Sequence, residues 1–304
     1  MEWSFELVAG AYGAIGEGPA WDGTYLYFTL IDKDLIMRFD PESGECVEWS
    51  KNTDRTNGLL FDAAGTLYGC CVGKQAIVRF DRDGQMTVVA DKIGDKRLNT
   101  PNDLAIDRKG RIWFTNPWNG EITTPQQKRE MEDEPILRVD PAPDGSWSVV
   151  RAASDTSNPN GILISSDERT LYVSQCDYGV DKPRELRAYP IHEDGTLGKY
   201  IVLHTFGKDY RGVHRAIDGM CLDEEGNIVA TAGWPDSGPG PMIYVFSPTG
   251  RVLETHPVPA TRPTNCTFGD RDLRSLYITT GGKGPSAGKL FRVRTSRKGW
   301  NLYP

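Results

Sequence analysis

The sequence predicts an all-β fold, a six-bladed β-propeller with four antiparallel strands in each blade. Its 304 residues contain six repeated units that begin 40 to 58 positions apart, and four-stranded units of about this length are typical of propeller blades. The 33 glycines and 20 prolines divide the chain into many short segments. No series of amphipathic helices is found, although a (β/α)8 barrel would need eight. We therefore expect residues 1–304 to form a single domain.

Each unit opens with a short segment that we predict to be the innermost strand of a blade. Most of these segments are followed by a turn rich in Asp and Gly, so that the next strand returns antiparallel. The six segments are GEGPAWD, TNGLLFD, PNDLAID, PNGILIS, IDGMCLD and TNCTFGD, beginning at Gly16, Thr56, Pro101, Pro159, Ile217 and Thr264.

Three further β-rich runs follow in most units. In the first unit the second and third runs are YLYFTL and LIMRFD, and in the second unit the fourth run is MTVVAD. The sixth unit ends near FRVRTSRKGW without a clear fourth strand, whereas SFELVA precedes the first unit as an extra strand. We expect this N-terminal strand to complete the last blade, because closing the ring removes an open sheet edge.

Composition excludes several classes of protein. The chain has 35 basic and 42 acidic residues, a net charge of -7, and lacks the basic excess of a nucleic-acid-binding protein. No apolar run is long enough to span a membrane, and the first residues do not resemble a secretory signal. We therefore expect a cytoplasmic protein with reduced cysteines. The four histidines are scattered, so any metal would be held largely by oxygen.

The second residue of every first-strand segment is an acid or an amide. Because innermost strands line the channel of a propeller, these positions should form one ring. Asn and Asp also start strands after turns, but this explains neither a Glu nor the identical register. Carboxylate and amide oxygens suit one hard divalent cation, Ca²⁺ first, with Mg²⁺, Mn²⁺ or Zn²⁺ as alternatives. These ring residues are Glu17, Asn57, Asn102, Asn160, Asp218 and Asn265.

Five longer segments carry a family pattern: GEGPAW, LNTPNDLAID, GRIWFTNP, SNPNGILISSDERTLYVS and AIDGMCLDEEGNI. In these segments the chain resembles the senescence-marker-protein/gluconolactonase/luciferin-regenerating-enzyme family of six-bladed propellers, which includes regucalcin. The resemblance implies a divalent metal held by Glu17, Asn160 and Asp218, with Asn102 beside it on the metal or the substrate. It also implies a lactonase.

Two departures from this family concern the substrate. Asn116 stands where gluconolactonase-like members often have Asp, and Thr100 stands where some animal members place a substrate-binding Arg. The long connections over residues 116–135, 177–184 and 233–241 should wall the same mouth as the ring, and loops on a rigid scaffold often bind ligands. The predicted substrate contacts are Asn57, Asn102, Asn116, Trp118, His214 and Arg215.

The predicted reaction is hydrolysis of a small-molecule lactone, with an aldonolactone as the first choice of substrate. The metal would polarise the carbonyl, and Asp218 would activate the attacking water as general base. Asp103 is the second candidate for the base, although strand alternation points it away from Asn102 and into the blade. Two alternatives stay open: a phosphotriesterase or fluorophosphatase at the same metal, and a non-enzymatic Ca²⁺-binding propeller.

Overall fold

The computed structural model describes residues 3–301 and contains six antiparallel sheets arranged as the blades of a propeller. This arrangement confirms the predicted fold class. Five sheets consist of four strands consecutive in the chain, one of them extended by a short C-terminal strand, and the sixth combines three consecutive strands with the N-terminal strand. No helix among the residues described is long and apolar enough to cross a membrane.

The first half of the chain contains the strands of blades 1 to 3. A 3₁₀ helix covers Ile31–Lys33, and a small hairpin, β10 with β11, follows blade 2. The strands are β1 (Glu6–Ala9), β2 (Gly16–Trp21), β3 (Leu26–Leu30), β4 (Leu35–Phe39), β5 (Cys46–Lys51), β6 (Thr56–Phe61), β7 (Leu67–Cys71), β8 (Ala76–Phe80), β9 (Met86–Ala90), β10 (Lys92–Ile93), β11 (Lys96–Arg97), β12 (Leu104–Ile106), β13 (Ile112–Thr115), β14 (Ile136–Pro141) and β15 (Trp147–Ala153).

The second half contains blades 4 to 6 and a short C-terminal strand. The inner strands of all six blades, β2, β6, β12, β16, β20 and β24, pack around the central channel. The strands of this half are β16 (Pro159–Ile164), β17 (Thr170–Cys176), β18 (Arg184–Pro190), β19 (Ile201–Thr205), β20 (Ile217–Asp223), β21 (Ile228–Trp234), β22 (Ser237–Phe246), β23 (Val252–Pro257), β24 (Pro263–Gly269), β25 (Ser275–Thr280), β26 (Leu290–Arg294) and β27 (Gly299–Trp300).

The N-terminal strand closes the ring. β1 pairs antiparallel with β26, with Glu6 opposite Arg292 and Leu7 opposite Phe291. The Arg292 guanidinium also contacts the Glu6 carboxylate at 2.8 Å. Blade 6 therefore takes its outer strand from the start of the chain and its three inner strands from near the end, which confirms the predicted closure.

Hydrogen bonds join each blade to the next around the channel. Hydroxyl groups make five of the six links, and each donates to a carbonyl oxygen of the following inner strand; the link from blade 2 to blade 3 is a backbone N–H. Because the side chains that make the bonds are buried, water does not compete strongly for them. The donor–acceptor pairs are Thr29–Asn57, Gly58–Asn102, Thr115–Asn160, Ser174–Ile217, Thr231–Thr264 and Thr264–Gly16, at 2.6 to 3.1 Å.

The apolar core lies between neighbouring blades. Between blades 3 and 4, for example, Trp113, Val173 and Tyr189 are buried in one cluster. Trp113 also donates its indole N–H to Asp107 at 3.0 Å, so its polar atom is satisfied in the core.

The C-terminal strand occupies the end of the channel opposite the ring residues. β27 pairs with the inner strand β20, with Trp300 opposite Leu222. Trp300 and Asn301 line a cavity of about 110 Å³ together with apolar side chains of the inner strands, such as Leu60 and Ile164. The repeat pattern did not predict this strand, because it belongs to none of the six units.

Candidate active site at one mouth of the channel

The structure brings all six ring residues to the starts of the inner strands, at one end of the channel that we call the ring mouth. Five of them are buried and Asn160 is partly exposed. Because six strands that start at the same end each contribute one polar side chain, the ring follows directly from the repeat register.

Most inner strands carry a β-bulge at the ring position. The pairing register shifts between Glu17 and Ala20 in blade 1, and shifts span the ring residue in blades 2, 4 and 5. In blade 6 the shift lies just before the ring residue, between Pro263 and Asn265. In blade 3, the Asn102 N–H donates to the Thr115 carbonyl, and the Thr115 N–H donates to the Asp103 carbonyl. Asn102 and Asp103 thus lie together opposite Thr115. Such a β-bulge changes the direction in which the side chains point.

Asp103 consequently faces the channel, and the prediction that alternation points it into the blade is wrong. Asn265 Nδ2 donates to Asp103 Oδ2 at 3.3 Å, although the two residues lie 162 positions apart. Asp103 also lines the channel cavity. The equivalent position of blade 2 is Gly58, where a Cβ would lie 2.6 Å from Asp103 Oδ1. The glycine therefore leaves the space that the carboxylate occupies.

Two buried carboxyl groups in this region interact electrostatically. Burial raises the pKa of Glu17, although the N–H of Gly18, which donates to Glu17 Oε2 at 2.8 Å, opposes the rise. Burial, followed by the charge of Glu17, raises the pKa of Asp103 to about 7. Both groups therefore favour a nearby positive charge.

Arg215 supplies a positive charge at the ring. Its side chain is 1% exposed, and the Asp218 side chain is 5% exposed. One guanidinium nitrogen donates to Asp218 Oδ2, and another donates to the Pro263 carbonyl at 2.9 Å. This buried ion pair fixes the Asp218 carboxylate, and removing either partner would leave an uncompensated charge.

Three of the four ring amides offer side-chain oxygens to which no group within residues 3–301 donates. Asn57 Oδ1 is buried without a hydrogen-bond partner, and within residues 3–301 the side chains of Asn102 and Asn160 form no hydrogen bond. The same part of the chain holds no cluster of three or more His, Cys, Asp or Glu side chains arranged for a metal. A cation would therefore need amide oxygens besides Glu17 and Asp218, and such a mixed oxygen donor set fits a hard cation.

Two of the predicted substrate contacts, Asn116 and His214, are buried among protein side chains. Asn116 is fully buried, and its Nδ2 lies 3.4 Å from Met131 Sδ. His214 is 5% exposed and stacks on Phe206, with 4.7 Å between ring centroids. Both ring nitrogens of His214 are buried and find no hydrogen-bond partner in the described part of the chain, and burial lowers the pKa of His214 to about 4. These side chains support the loops and the blade 5 core. Their burial depends on packing between residues that are distant in the sequence.

The connection between β13 and β14, residues 116–135, lies over blades 2 and 1 and we call it the strap. Ile122 of the strap is buried against Ile31 and Val72. Arg55 Nε donates to the Ile122 carbonyl at 2.8 Å. Trp118, near the start of the strap, is partly exposed and stays a predicted substrate contact. The predicted loop at 233–241 is mostly strand, because β21 and β22 form a long hairpin.

Sequence reasoning did not select Arg262, although it lies beside this site. Its guanidinium contacts Glu121 of the strap at 3.4 Å. The sequence does contain a pattern that indicates this position. Arg55 and Arg262 each directly precede an inner strand, and Arg215 lies two residues before one. Arginines at these points must lie at the ring mouth.

The fold and the ring mouth together define a class: six-bladed propellers with a buried ring of acids and amides at one end of the channel. The sequence profile of the SMP-30/Gluconolactonase/LRE-like region matches residues 15–282, and the chain belongs to this family.

Three related proteins illustrate the similarity. The chain is 28% identical over 302 residues to a gluconolactonase of Zymomonas mobilis, covering 93% of this chain and 79% of that protein. It is 27% identical over 301 residues to a 6-deoxy-6-sulfogluconolactonase of Pseudomonas putida, covering 95% and 91%. The solved structure of a gluconolactonase from Xanthomonas campestris has a TM-score of 0.78 and 31% identity, covering 96% of this chain and 89% of that one.

Proposed function

We propose that this protein is a metal-dependent lactonase that hydrolyses a sugar lactone at the ring mouth. The observation that carries the proposal is the pair of buried carboxylates, Glu17 and Asp218, beside three ring amides whose oxygens accept no hydrogen bond within the described residues. The names of the related gluconolactonases support the same reaction class and suggest an aldonolactone as substrate.

Glu17, Asp218, Asn160 and Asn102 are the residues that would hold the cation, and Ca²⁺ is our first choice because all the donors are hard oxygens. When bound, such a cation polarises the lactone carbonyl and stabilises the negative charge that develops on its oxygen. Glu17 and Asp218 supply two negative charges to a divalent ion, and the ion pair with Arg215 offsets one of them.

We assign the general base to Asp218. Its carboxylate accepts a proton from the attacking water as the new carbon–oxygen bond forms. The acyl carbon–oxygen bond of the ring then breaks, and Asp218 returns the proton to the ring oxygen, which leaves as a hydroxyl group and gives a hydroxy acid. Arg215 holds Asp218 in position through their ion pair. Asp103 is the second candidate, because it faces the same channel. The proposed substrate contacts stay those predicted from the sequence: Asn57, Asn102, Asn116, Trp118, His214 and Arg215.

The test measures acid release from gluconolactone with a pH indicator, with and without added Ca²⁺ after treatment with a chelator. We expect hydrolysis that depends on the cation. Asp218→Asn should lower kcat by about 10²- to 10⁴-fold, the usual contribution of a general base, and should weaken Ca²⁺ binding in calorimetry. Asp144→Asn, in an exposed turn, is the matched control. Hydrolysis unaffected by chelator, or by Asp218→Asn, would contradict the proposal.

A further inference from the structure

Three arginines lie at the ring mouth between blades 4 and 6. Arg184 begins β18, Arg215 lies two residues before β20, and Arg262 directly precedes β24. Connections from second to third strands and connections entering inner strands share one end of an antiparallel propeller, so the topology brings all three together. A direct link exists as well, since Arg215 donates to the carbonyl of Pro263, the neighbour of Arg262.

These guanidinium groups have more positive charge and more donors than the protein satisfies. Only Arg215 has a buried carboxylate partner, Asp218. Arg184 is 5% exposed, donates to the Gly179 carbonyl at 2.8 Å, and forms no ion pair within the part of the chain described. In all three arginines the Nε atom is buried and has no hydrogen-bond partner among residues 3–301. A guanidinium cannot lose its proton in a protein, so these donors call for an acceptor.

A tyrosine and a cysteine lie among the arginines. The Tyr178 hydroxyl is 3.3 Å from Cys176 Sγ. Burial raises the pKa of the Cys176 thiol, and the positive charges of all three arginines oppose that rise, so the three charges lie near one sulfur atom. Tyr178 also stacks on Trp234, with 5.6 Å between ring centroids. The region thus combines positive charge with an aromatic surface.

The Arg262 guanidinium already forms an ion pair with a carboxylate from outside its own blade. Glu121 of the strap contacts it at 3.4 Å, and the two side chains are 63% and 27% exposed, respectively. An exposed pair of this kind contributes little stability. Another anion can therefore displace Glu121 from Arg262 at small cost.

We infer that the substrate carries an anionic group at the end remote from the lactone carbonyl, and that Arg262 and Arg184 bind this group. The group is an oxyanion, a carboxylate, sulfonate or phosphate, because the guanidinium fork matches such oxygens in bidentate geometry. The inference rests on the proposed lactonase function, with Asp218 at the carbonyl end and Arg262 farther out at the mouth.

The test compares two lactones and one inert ligand. We expect kcat/KM for glucaro-1,4-lactone, which carries a carboxylate, to exceed that for uncharged gluconolactone. Arg262→Met should lower kcat/KM for the charged lactone by about 10- to 100-fold and that for gluconolactone by less than about threefold. Arg211→Met is the matched control, because Arg211 is an exposed arginine paired with Asp209.

Calorimetry with 6-phosphogluconate gives a readout independent of turnover. Arg262→Met should weaken its binding, and Glu121→Gln should tighten it, because the competing carboxylate is lost. Equal turnover of both lactones together with binding unchanged in Arg262→Met would overturn the inference. Binding that depends on Arg262 without hydrolysis of either lactone would support the anion site and reject the lactonase proposal.

Discussion

At the position that follows the ring residue, blade 3 has an acidic side chain, Asp103, and the other five blades do not. The equivalent residue is glycine in four blades and cysteine in the remaining one: Gly18, Gly58, Gly161, Gly219 and Cys266. The glycines allow inner strands to approach closely, as at Gly219, where a Cβ would overlap the Asn265 side chain. Blade 3 instead places a carboxylate in the channel, and this makes Asp103 the rival of Asp218 for the role of base.

Replacing each carboxylate by the corresponding amide distinguishes Asp103 from Asp218 as the general base. We expect Asp103→Asn to lower kcat for gluconolactone by about tenfold, through loss of a charge near the site, and Asp218→Asn to lower it by at least about 10²-fold. Steady-state kinetics at saturating Ca²⁺ distinguishes them. If Asp103→Asn lowered kcat more than Asp218→Asn does, the role of general base would belong to Asp103.

His214 should make the fold sensitive to acid. Its pKa in the folded state is about 4, below the ordinary value near 6.5. The unfolded chain therefore binds a proton that the folded chain does not between pH 6.5 and 4, and stability falls as pH falls through that range. The full effect is about 3 kcal/mol.

His214→Phe should remove this contribution, because Phe cannot be protonated and packs on Phe206 as the imidazole does. Urea unfolding at pH 7 and at pH 4.5 provides the measurement, with exposed His192→Gln as control. An equal loss of stability between the two pH values in wild type and His214→Phe would contradict the prediction.

Sequence patterns located the ring residues but not the surroundings of single side chains. Equivalent register in six units was enough to align Glu17 with Asp218. The orientation of Asp103 depends on a bulge, which breaks the two-residue alternation. The burial of His214 depends on Phe206 and Tyr244, and contacts between separate strands leave no local periodicity.

At the scale of elements, the strap is the least regular part of the ring mouth. It has no strand or helix of its own, and it is held by Ile122 and by bonds from Arg55 and Gln127. The sequence identified it as an insertion because it separates two recognisable strands. Its course across blades 2 and 1 was not predictable, since the groups that anchor it lie about 50 to 90 residues away in the sequence.

Ile122→Ala should loosen the strap without unfolding the blades. Replacing a buried isoleucine by alanine costs about 2–5 kcal/mol. We expect this cost to lower the free energy of local opening of the strap rather than that of global unfolding. We expect proteolytic cleavage within residues 116–135 to become at least about tenfold faster, with little change in Tm. Limited trypsin digestion measures this, with the neighbouring Thr123→Ala as control. A large fall in Tm with unchanged cleavage of the native state would show that the strap is part of the global core.

At the scale of the molecule, the sequence predicted nearly the whole architecture, because six repeats and one extra strand allow only one closed ring. It did not predict β27, which lies outside the repeats. Strand β1 converts an open series of blades into a ring, and without it β26 would present an unpaired edge, a known route to aggregation.

Deleting residues 1–9 should therefore destabilise the protein and promote its association. We expect a lower Tm and light scattering that increases with protein concentration, because the exposed edge of β26 can pair with another chain. A protein lacking only the first two residues, which precede β1, is the control. Unchanged Tm and no added scattering would contradict a role of β1 in closure.

The pairing of β1 with β26 also sets the order of events during synthesis. β1 is made before every other strand of the propeller and is bonded to a strand made nearly 300 residues later, so its partner does not exist while blades 1 to 5 are being made. Domains complete such distant pairings late. The nascent chain must therefore keep the segment around Leu7 unpaired until β26 has emerged, and the ring closes only after that point.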